Sequence, residues 1–300
     1  MDVLQVCYTD PNAPAVFAKS LHETGFAVLT DHPISPSLVN EVFEEWTHFF
    51  KSSSKYDYTF KPETQAGYFP FKTENAKDSK IKDLKEFYHL HAWGSVPQNM
   101  SDRTWELLHS MSSLATELLG WIDSATPESV RANFSMPLSQ MISHSRETLL
   151  RPIHYPPIQG GEEPGAIRAA AHEDINLITL LPAATAPGLQ VRDKGGTWHN
   201  VACDPGSIAI NAGDMLQMAS LGYYKSTTHQ VINPSDTQKG QPRDAMPLFL
   251  HPRSDVVLSA EHTAGTYLRE RLEEIGLLGK ATPLKTASAT VLAERPAAQA

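Results

Sequence analysis

Between Ile153 and His251 the chain breaks into eight short apolar or alternating runs, "IHY", "INLITLL", "GLQVRD", "TWHNVA", "SIAINAG", "MLQMAS", "STTHQVI" and "MPLFLH", with Gly, Pro and Asp between them. Runs of this length, punctuated by turn residues, read as strands. Their apolar faces must be covered by a second sheet or by helices, and eight strands are what a jelly roll needs. The expected fold class is mainly β with flanking helices, a double-stranded β-helix (jelly roll).

The helices show a different period. "ISPSLVNEVFEEWTHFF" offers Ser35 as a cap and Pro36 as a first-turn residue, followed by Val39, Val42, Phe43, Trp46 and Phe50 at spacings of three and four. In "DRTWELLHSMSSLATELLGWI", Trp105, Leu108, Met111, Ala115, Leu118 and Ile122 form a second such stripe. Both stripes read as core-facing surfaces. "AEHTAGTYLRERLEEIGLL" reads as a third helix, packed outside the β region, and the Ala-, Thr- and Pro-rich end "ATPLKTASATVLAERPAAQA" as a loosely held tail. A length of 300 residues suits one catalytic domain. It divides into a mainly helical N-terminal region over 1–150 that contributes to the substrate pocket, a jelly-roll core with the metal site over 151–252, and a C-terminal helix and loose tail over 253–300. No internal repeat is visible.

Charge narrows the partners. With 34 acidic against 25 basic residues, a net charge of -9 argues against a nucleic-acid or anionic-membrane surface and leaves a small-molecule substrate as the expected partner. The two cysteines, Cys7 and Cys203, are too few for a disulfide scaffold, and "MDVLQVCYTD" lacks the features of a secretory signal. No apolar run approaches the roughly 20 residues that span a bilayer. The expected location is cytoplasmic. Nothing in the sequence marks an oligomeric state.

The candidate chemistry sits in "AAHEDINLITLLP", where His172, Glu173 and Asp174 precede an apolar run. In an extended strand, residues two apart face the same side, so His172 and Asp174 would reach into one space while Glu173 points away. An imidazole and a carboxylate suit Fe(II), Mn(II) or Zn(II) but need a third ligand. His229 in "YKSTTHQVINP" is the candidate, because the strand-and-turn block between could fold back to bring it beside His172. Two His and one carboxylate would occupy one face of an octahedron and leave positions open. On spacing alone, the triplet stays open between this metal site and a solvated turn. Arg243 in "GQPRDAMPLFLHP" is similarly either a surface charge or an inward-facing partner for a carboxylate, to which a guanidinium binds in a two-pronged pair.

Taken together, "ETGFAVLTDHPIS", "HYPP", "GLQVRD", "NAGDML" and "KSTTHQVINP" resemble core blocks of the isopenicillin N synthase-like family of Fe(II)/2-oxoglutarate-dependent oxygenases, over most of the chain. The resemblance implies an enzyme that uses Fe(II), 2-oxoglutarate as cosubstrate and O2, with succinate and CO2 as cosubstrate products and hydroxylation, desaturation or cyclisation of a small molecule as the outcome. The family's metal ligands fall on His172, Asp174 and His229, its carboxylate-binding arginine on Arg243, and a tyrosine that helps hold the cosubstrate on Tyr155. Beyond the metal centre it implies no separate catalytic side chain. Two positions depart from the pattern. Ala245 stands where relatives carry the Ser of Arg-x-Ser, which removes a hydroxyl worth about 0.5–1.5 kcal/mol, and Gln230 stands where relatives commonly place Arg. For the substrate, "AGYFPF" and "KDLKEFYHL" offer Tyr68 and Phe87 as aromatic walls, and Arg168, four residues before His172, would share its strand face and could pair with a substrate acid. Three other readings remain: an Fe(II) oxidase like isopenicillin N synthase that does not use 2-oxoglutarate, a Zn hydrolase, and a non-catalytic binding module on the same scaffold.

Overall fold

The computed structural model describes residues 1–75, 80–202 and 204–278. The first half carries β1 (Gln5–Cys7), α1 (Ala13–Thr24), β2 (Phe26–Thr30), α2 (Pro36–Lys51), β3 (Gly67–Phe69), β4 (Glu86–His91), α3 (Arg103–Ala125), two single-turn helices α4 (Glu128–Arg131) and α5 (Leu138–Met141), and β5 (Leu149–Leu150). There follow β6 (Ile153–Tyr155), β7 (Ala169–His172), β8 (Ile178–Pro182), β9 (Leu189–Arg192), β10 (Trp198–Asn200), β11 (Ile208–Ala212), α6 (Asp214–Ala219), β12 (His229–Val231), β13 (Arg243–Ala245), β14 (Leu248–Leu250) and α7 (Ala264–Glu274). The larger sheet runs β1-β2-β11-β8-β14-β5-β4-β6-β13, with β3 beside β4, and the smaller runs β10-β9-β12-β7. This is the expected mainly β jelly roll with flanking helices.

Period-two alternation explains how the larger sheet carries two cores. Phe26 and Val28 of β2 and Ala209 of β11 turn inward to meet Ala169, Leu189, Val191 and Val231 of the smaller sheet. Their neighbours Ala27, Leu29, Ile208 and Ile210 turn outward to a separate core shared with Phe17 and Leu21 of α1 and Leu107, Met111 and Leu118 of α3. Because both faces are buried, these strands read as nearly continuous apolar runs. α2 and α3 follow their predicted stripes, with Val42, Trp46, Leu108, Met111, Leu118 and Ile122 all buried.

One expected strand is a helix. "MLQMAS" falls in α6, where Met215, Leu216 and Ala219 are buried at helical spacing. Six residues cannot separate that pattern from alternation, and the backbone decides. Gly213 N–H donates to Leu177 O at 2.9 Å, Asp214 N–H to Asp174 O at 2.7 Å and Met215 N–H to Asn176 O at 3.1 Å. The first helical turn thereby docks its unsatisfied donors on the segment carrying Asp174. In the first half, β2, β4 and β5 join the same sheet as strands from the second half. α7 begins at a reciprocal cap between Thr263 and Thr266. The expected tail over 281–300 lies outside the described residues. Among the described residues, no helix is long and apolar enough to cross a membrane.

Candidate metal centre

β7 and β12 pair antiparallel with His172 directly opposite His229. Each ring is fixed from behind: His172 Nδ1 contacts Ala170 O at 2.7 Å and His229 Nδ1 contacts Thr227 O at 3.1 Å. A ring whose Nδ1–H is spent on a carbonyl presents a bare Nε2 to a metal. These Nε2 atoms lie 3.9 and 3.7 Å from Asp174 Oδ1. Asp174 stands two residues beyond the end of β7, and its other oxygen, Oδ2, accepts from Thr179 Oγ1 at 2.5 Å and Asn211 Nδ2 at 2.8 Å. Thr179 and Asn211 are register partners on β8 and β11, so the inward face of the larger sheet sets the carboxylate's orientation. One donor atom from each of His172, Asp174 and His229 falls within 4.8 Å of the others. Glu173 faces solvent and accepts from the Thr228 hydroxyl.

The electrostatics suit a cation. Burial, and next to it the neighbouring His229, lower the pKa of His172 to about 4, which keeps its imidazole unprotonated at neutral pH. Burial disfavours the Asp174 carboxylate, but both imidazoles and the bonds from Asn211 and Thr179 outweigh it and hold its pKa below the ordinary value. Two imidazoles whose Nε2 atoms face one carboxylate oxygen are the donor set of a facial metal site.

Arg243 and Tyr155 are register partners on β13 and β6, with the guanidinium carbon 5.1 Å from the ring centre. Arg243 Nε donates to Ala186 O at 2.9 Å. Ala245, on the same face of β13, is buried among Ala169, Leu189 and Val231. Gln230 points elsewhere, donating to Gln190 on β9 at 2.9 Å.

The expected substrate residues scatter. Arg168 does not share a strand face with His172: it lies before β7, the pairing with β12 slips in register between His172 and Ala169, and its guanidinium sits 6.0 Å from the Tyr155 ring, donating to Gln241 O at 2.8 Å. Phe87 is buried inside the jelly roll, stacked on Phe69. Tyr68 is buried against Phe49 and Phe50 of α2 and donates to Glu86, away from the metal cluster.

A cavity of about 300 Å³ opens beside His172 and Asp174. Its polar wall includes Lys85, His89, His91, Arg151 and His251, none singled out from the sequence; Leu268 and Leu272 of α7, with Ile275 and Leu277, close the apolar side. The missed residues come from β4, the β5–β6 junction and the end of β14. They come from segments far apart in the sequence, so only the fold reveals the cluster.

Comparison with known proteins agrees with this geometry. Residues 140–252 match the model of the 2OG-Fe(II) oxygenase superfamily, and residues 9–110 match that of the N-terminal region of non-haem dioxygenases in morphine synthesis. A crystal structure from Shewanella oneidensis, of a protein assigned to the oxygenases, is 48% identical, with a TM-score of 0.83 over 93% of this chain and 100% of that one. A Caulobacter crescentus protein assigned to the 2OG-Fe(II) oxygenase family is 28% identical, with a TM-score of 0.73 over 91% and 99% of the two chains. Among curated relatives, jasmonate-induced oxygenase 4 of Arabidopsis thaliana is 28% identical over 257 residues, 82% of this chain and 70% of its own.

Proposed function

Because the chain belongs to the 2OG-Fe(II) oxygenase superfamily, we propose that His172, Asp174 and His229 hold its Fe(II) and that Arg243, with Tyr155, holds the far carboxylate of 2-oxoglutarate. The protein is a non-haem Fe(II)/2-oxoglutarate-dependent oxygenase. When bound, the metal and cosubstrate supply the oxidising chemistry with O2, releasing succinate and CO2. The protein's own residues supply placement. Ala170 and Thr227 carbonyls orient the two imidazoles, Thr179 and Asn211 turn one oxygen of Asp174 toward them, and the α7 side of the cavity excludes water from the substrate.

The observation that carries the ligand assignment is the convergence of three donor atoms within 4.8 Å, each oriented from behind by its own hydrogen bond. Arg243 suits the cosubstrate because a guanidinium pairs with a carboxylate in a planar fork, and its register partner Tyr155 lies with its ring centre 5.1 Å from the guanidinium carbon. The family match favours 2-oxoglutarate use over the oxidase, hydrolase and binding-module readings. The cavity volume of about 300 Å³ favours a small-molecule substrate. A cytoplasmic location belongs to the same proposal, supported by a cysteine count of two, which suits a reducing compartment.

The test is an anaerobic titration of the Fe(II)-loaded protein with 2-oxoglutarate, following the visible charge-transfer absorption of the chelate. A saturable band is expected. Its absence with iron bound would overturn the cosubstrate assignment despite the intact ligand set.

A further inference from the structure

The guanidinium of Arg151 lies between two phenyl rings, 4.8 Å from the centre of Phe87 and 5.1 Å from that of Phe249. Rings on either side hold it flat and leave only its edge for other contacts. That edge carries five N–H donors, yet no side-chain hydrogen bond is made by any of them among the described residues, and Nε is buried without a partner. The ionic contact to Glu74 is loose, at 3.6 Å, because Glu74 is drawn to Lys85 at 2.7 Å. Lys85 in turn also holds Asp83 at 2.9 Å. Arg151 is thus an unsaturated cation on the wall of the cavity that contains His172 and Asp174, with 17% of its side chain accessible.

Two further groups on that wall have buried ring nitrogens without a close hydrogen-bond partner. His89 is 3% exposed with Nε2 unpaired, and His251 is 6% exposed with neither ring nitrogen paired. Burial lowers the pKa of both, that of His251 to about 4. As neutral rings they each offer one donor and one acceptor and do not compete with Arg151 for an anion. His251 lines the same cavity as Asp174 and Arg151. Two further acids of the lining have protein partners of their own: Glu147 accepts from Ser254 Oγ at 3.4 Å and Glu173 from the Thr228 hydroxyl. Leu268, Leu272 and Ile275 add apolar side chains to the lining, and Arg271 of α7 lies among them, its NH1 paired with Glu274 at 2.6 Å.

Resting on the oxygenase reading above, we infer that the substrate is a compact carboxylic acid whose carboxylate pairs with the edge of Arg151, with His89 and His251 beside it and its apolar body lying under α7 toward the metal ligands. The volume, at the lower end for ligand pockets, sets the compactness. A charge-assisted pair at a partly buried site gives affinity that an uncharged isostere cannot match.

The experiment compares phenylacetate, cyclohexylacetate and 4-methylvalerate with their primary amides, by anaerobic calorimetry on the full chain loaded with Fe(II) and 2-oxoglutarate. At least one acid is expected to bind about tenfold or more tighter than its amide. Arg151→Gln should weaken that acid by about tenfold or more and leave the amide unchanged, while Arg151→Lys, which keeps the charge but not the flat fork, should fall between. Equal binding of acids and amides, binding of no acid, or an Arg151→Gln protein that binds acids as the wild type does would each overturn the inference. Loss of the 2-oxoglutarate band in a folded Arg151→Gln protein, confirmed by the same loss in Arg151→Lys, would instead give Arg151 to the cosubstrate and also overturn it. Failure of the oxygenase reading is separable, because it appears as a missing 2-oxoglutarate band in the wild type, and the acid–amide comparison can still be run on the protein with Fe(II) alone.

Discussion

A metal site of three side chains leaves little redundancy, so single substitutions are decisive. His172→Ala, Asp174→Ala and His229→Ala should each lower Fe(II) affinity by more than about a hundredfold, and Asn211→Ala, which frees Asp174 Oδ2 from a 2.8 Å bond, by about tenfold. Glu173→Ala should leave iron binding unchanged, because that side chain faces solvent and Thr228. Competition with a coloured chelator measures all five, and full affinity in the three ligand variants would remove the site. Arg243→Leu should bind iron normally but need at least about thirtyfold more 2-oxoglutarate for half of the band. Ala245→Ser should need up to about tenfold less, since it places a hydroxyl on the face of β13 that bears Arg243; an unchanged titration would show that the missing hydroxyl is not a cosubstrate contact. The spacing in "HED" pointed to His172 and Asp174 as a pair, although Asp174 lies two residues past the end of β7, and the family resemblance supplied the full set with His229. Arg151, His89 and His251 were not legible, because their chemistry lies in what they lack, a partner, and absent partners appear only when the chain is folded.

Elements position these residues through a corner that the sequence disguises. β11 runs into α6 at Gly213, where an added Cβ would stand 2.2 Å from Asn176 O and 2.5 Å from its side-chain oxygen. No side chain fits there without moving the loop that carries Asp174. Gly213→Ala should therefore cost about 1–3 kcal/mol and weaken Fe(II) binding as well. Gly120, inside α3, is the control, because an added Cβ there would meet nothing within 4 Å: Gly120→Ala should stabilise by about 0.5–1 kcal/mol. Thermal melts of both variants decide it, and a Gly213→Ala protein that melts with the wild type would mean the corner yields freely. The strand reading of "MLQMAS" failed at this same corner. Its apolar residues fit either period, and what selects a helix is the row of carbonyls at Asp174, Asn176 and Leu177 waiting for the first-turn N–H groups. The strands β2, β4 and β5 were missed for other reasons: β2 lies between α1 and α2 and β4 between α2 and α3, whose helical stripes dominate the first half, and β5 is only Leu149–Leu150.

Across the whole molecule the site and the fold share one liability, which is buried neutral histidine. His251 is held at a pKa of about 4 and His89 well below its ordinary value, chiefly by burial and, for His89, by Arg151 as the next cause. In the unfolded chain both return to about 6.5. Below that pH the unfolded state binds protons that the folded state refuses, so stability is full above about pH 6.5 and falls as the pH drops toward 4. For one such histidine the slope approaches about 1.4 kcal/mol per pH unit within that window. The carboxylates whose folded pKa values lie low, such as Asp174 and Glu74, add their losses only at more acidic pH. Denaturant unfolding of the metal-free protein should therefore show a midpoint that declines steadily from pH 7 to pH 5, and His251→Asn should flatten that decline by about 1 kcal/mol per pH unit even if it lowers stability at pH 7. A decline of the same steepness in the variant would mean that His251 is not linked to unfolding and that other buried imidazoles, His89 and His172 among them, carry the acid sensitivity.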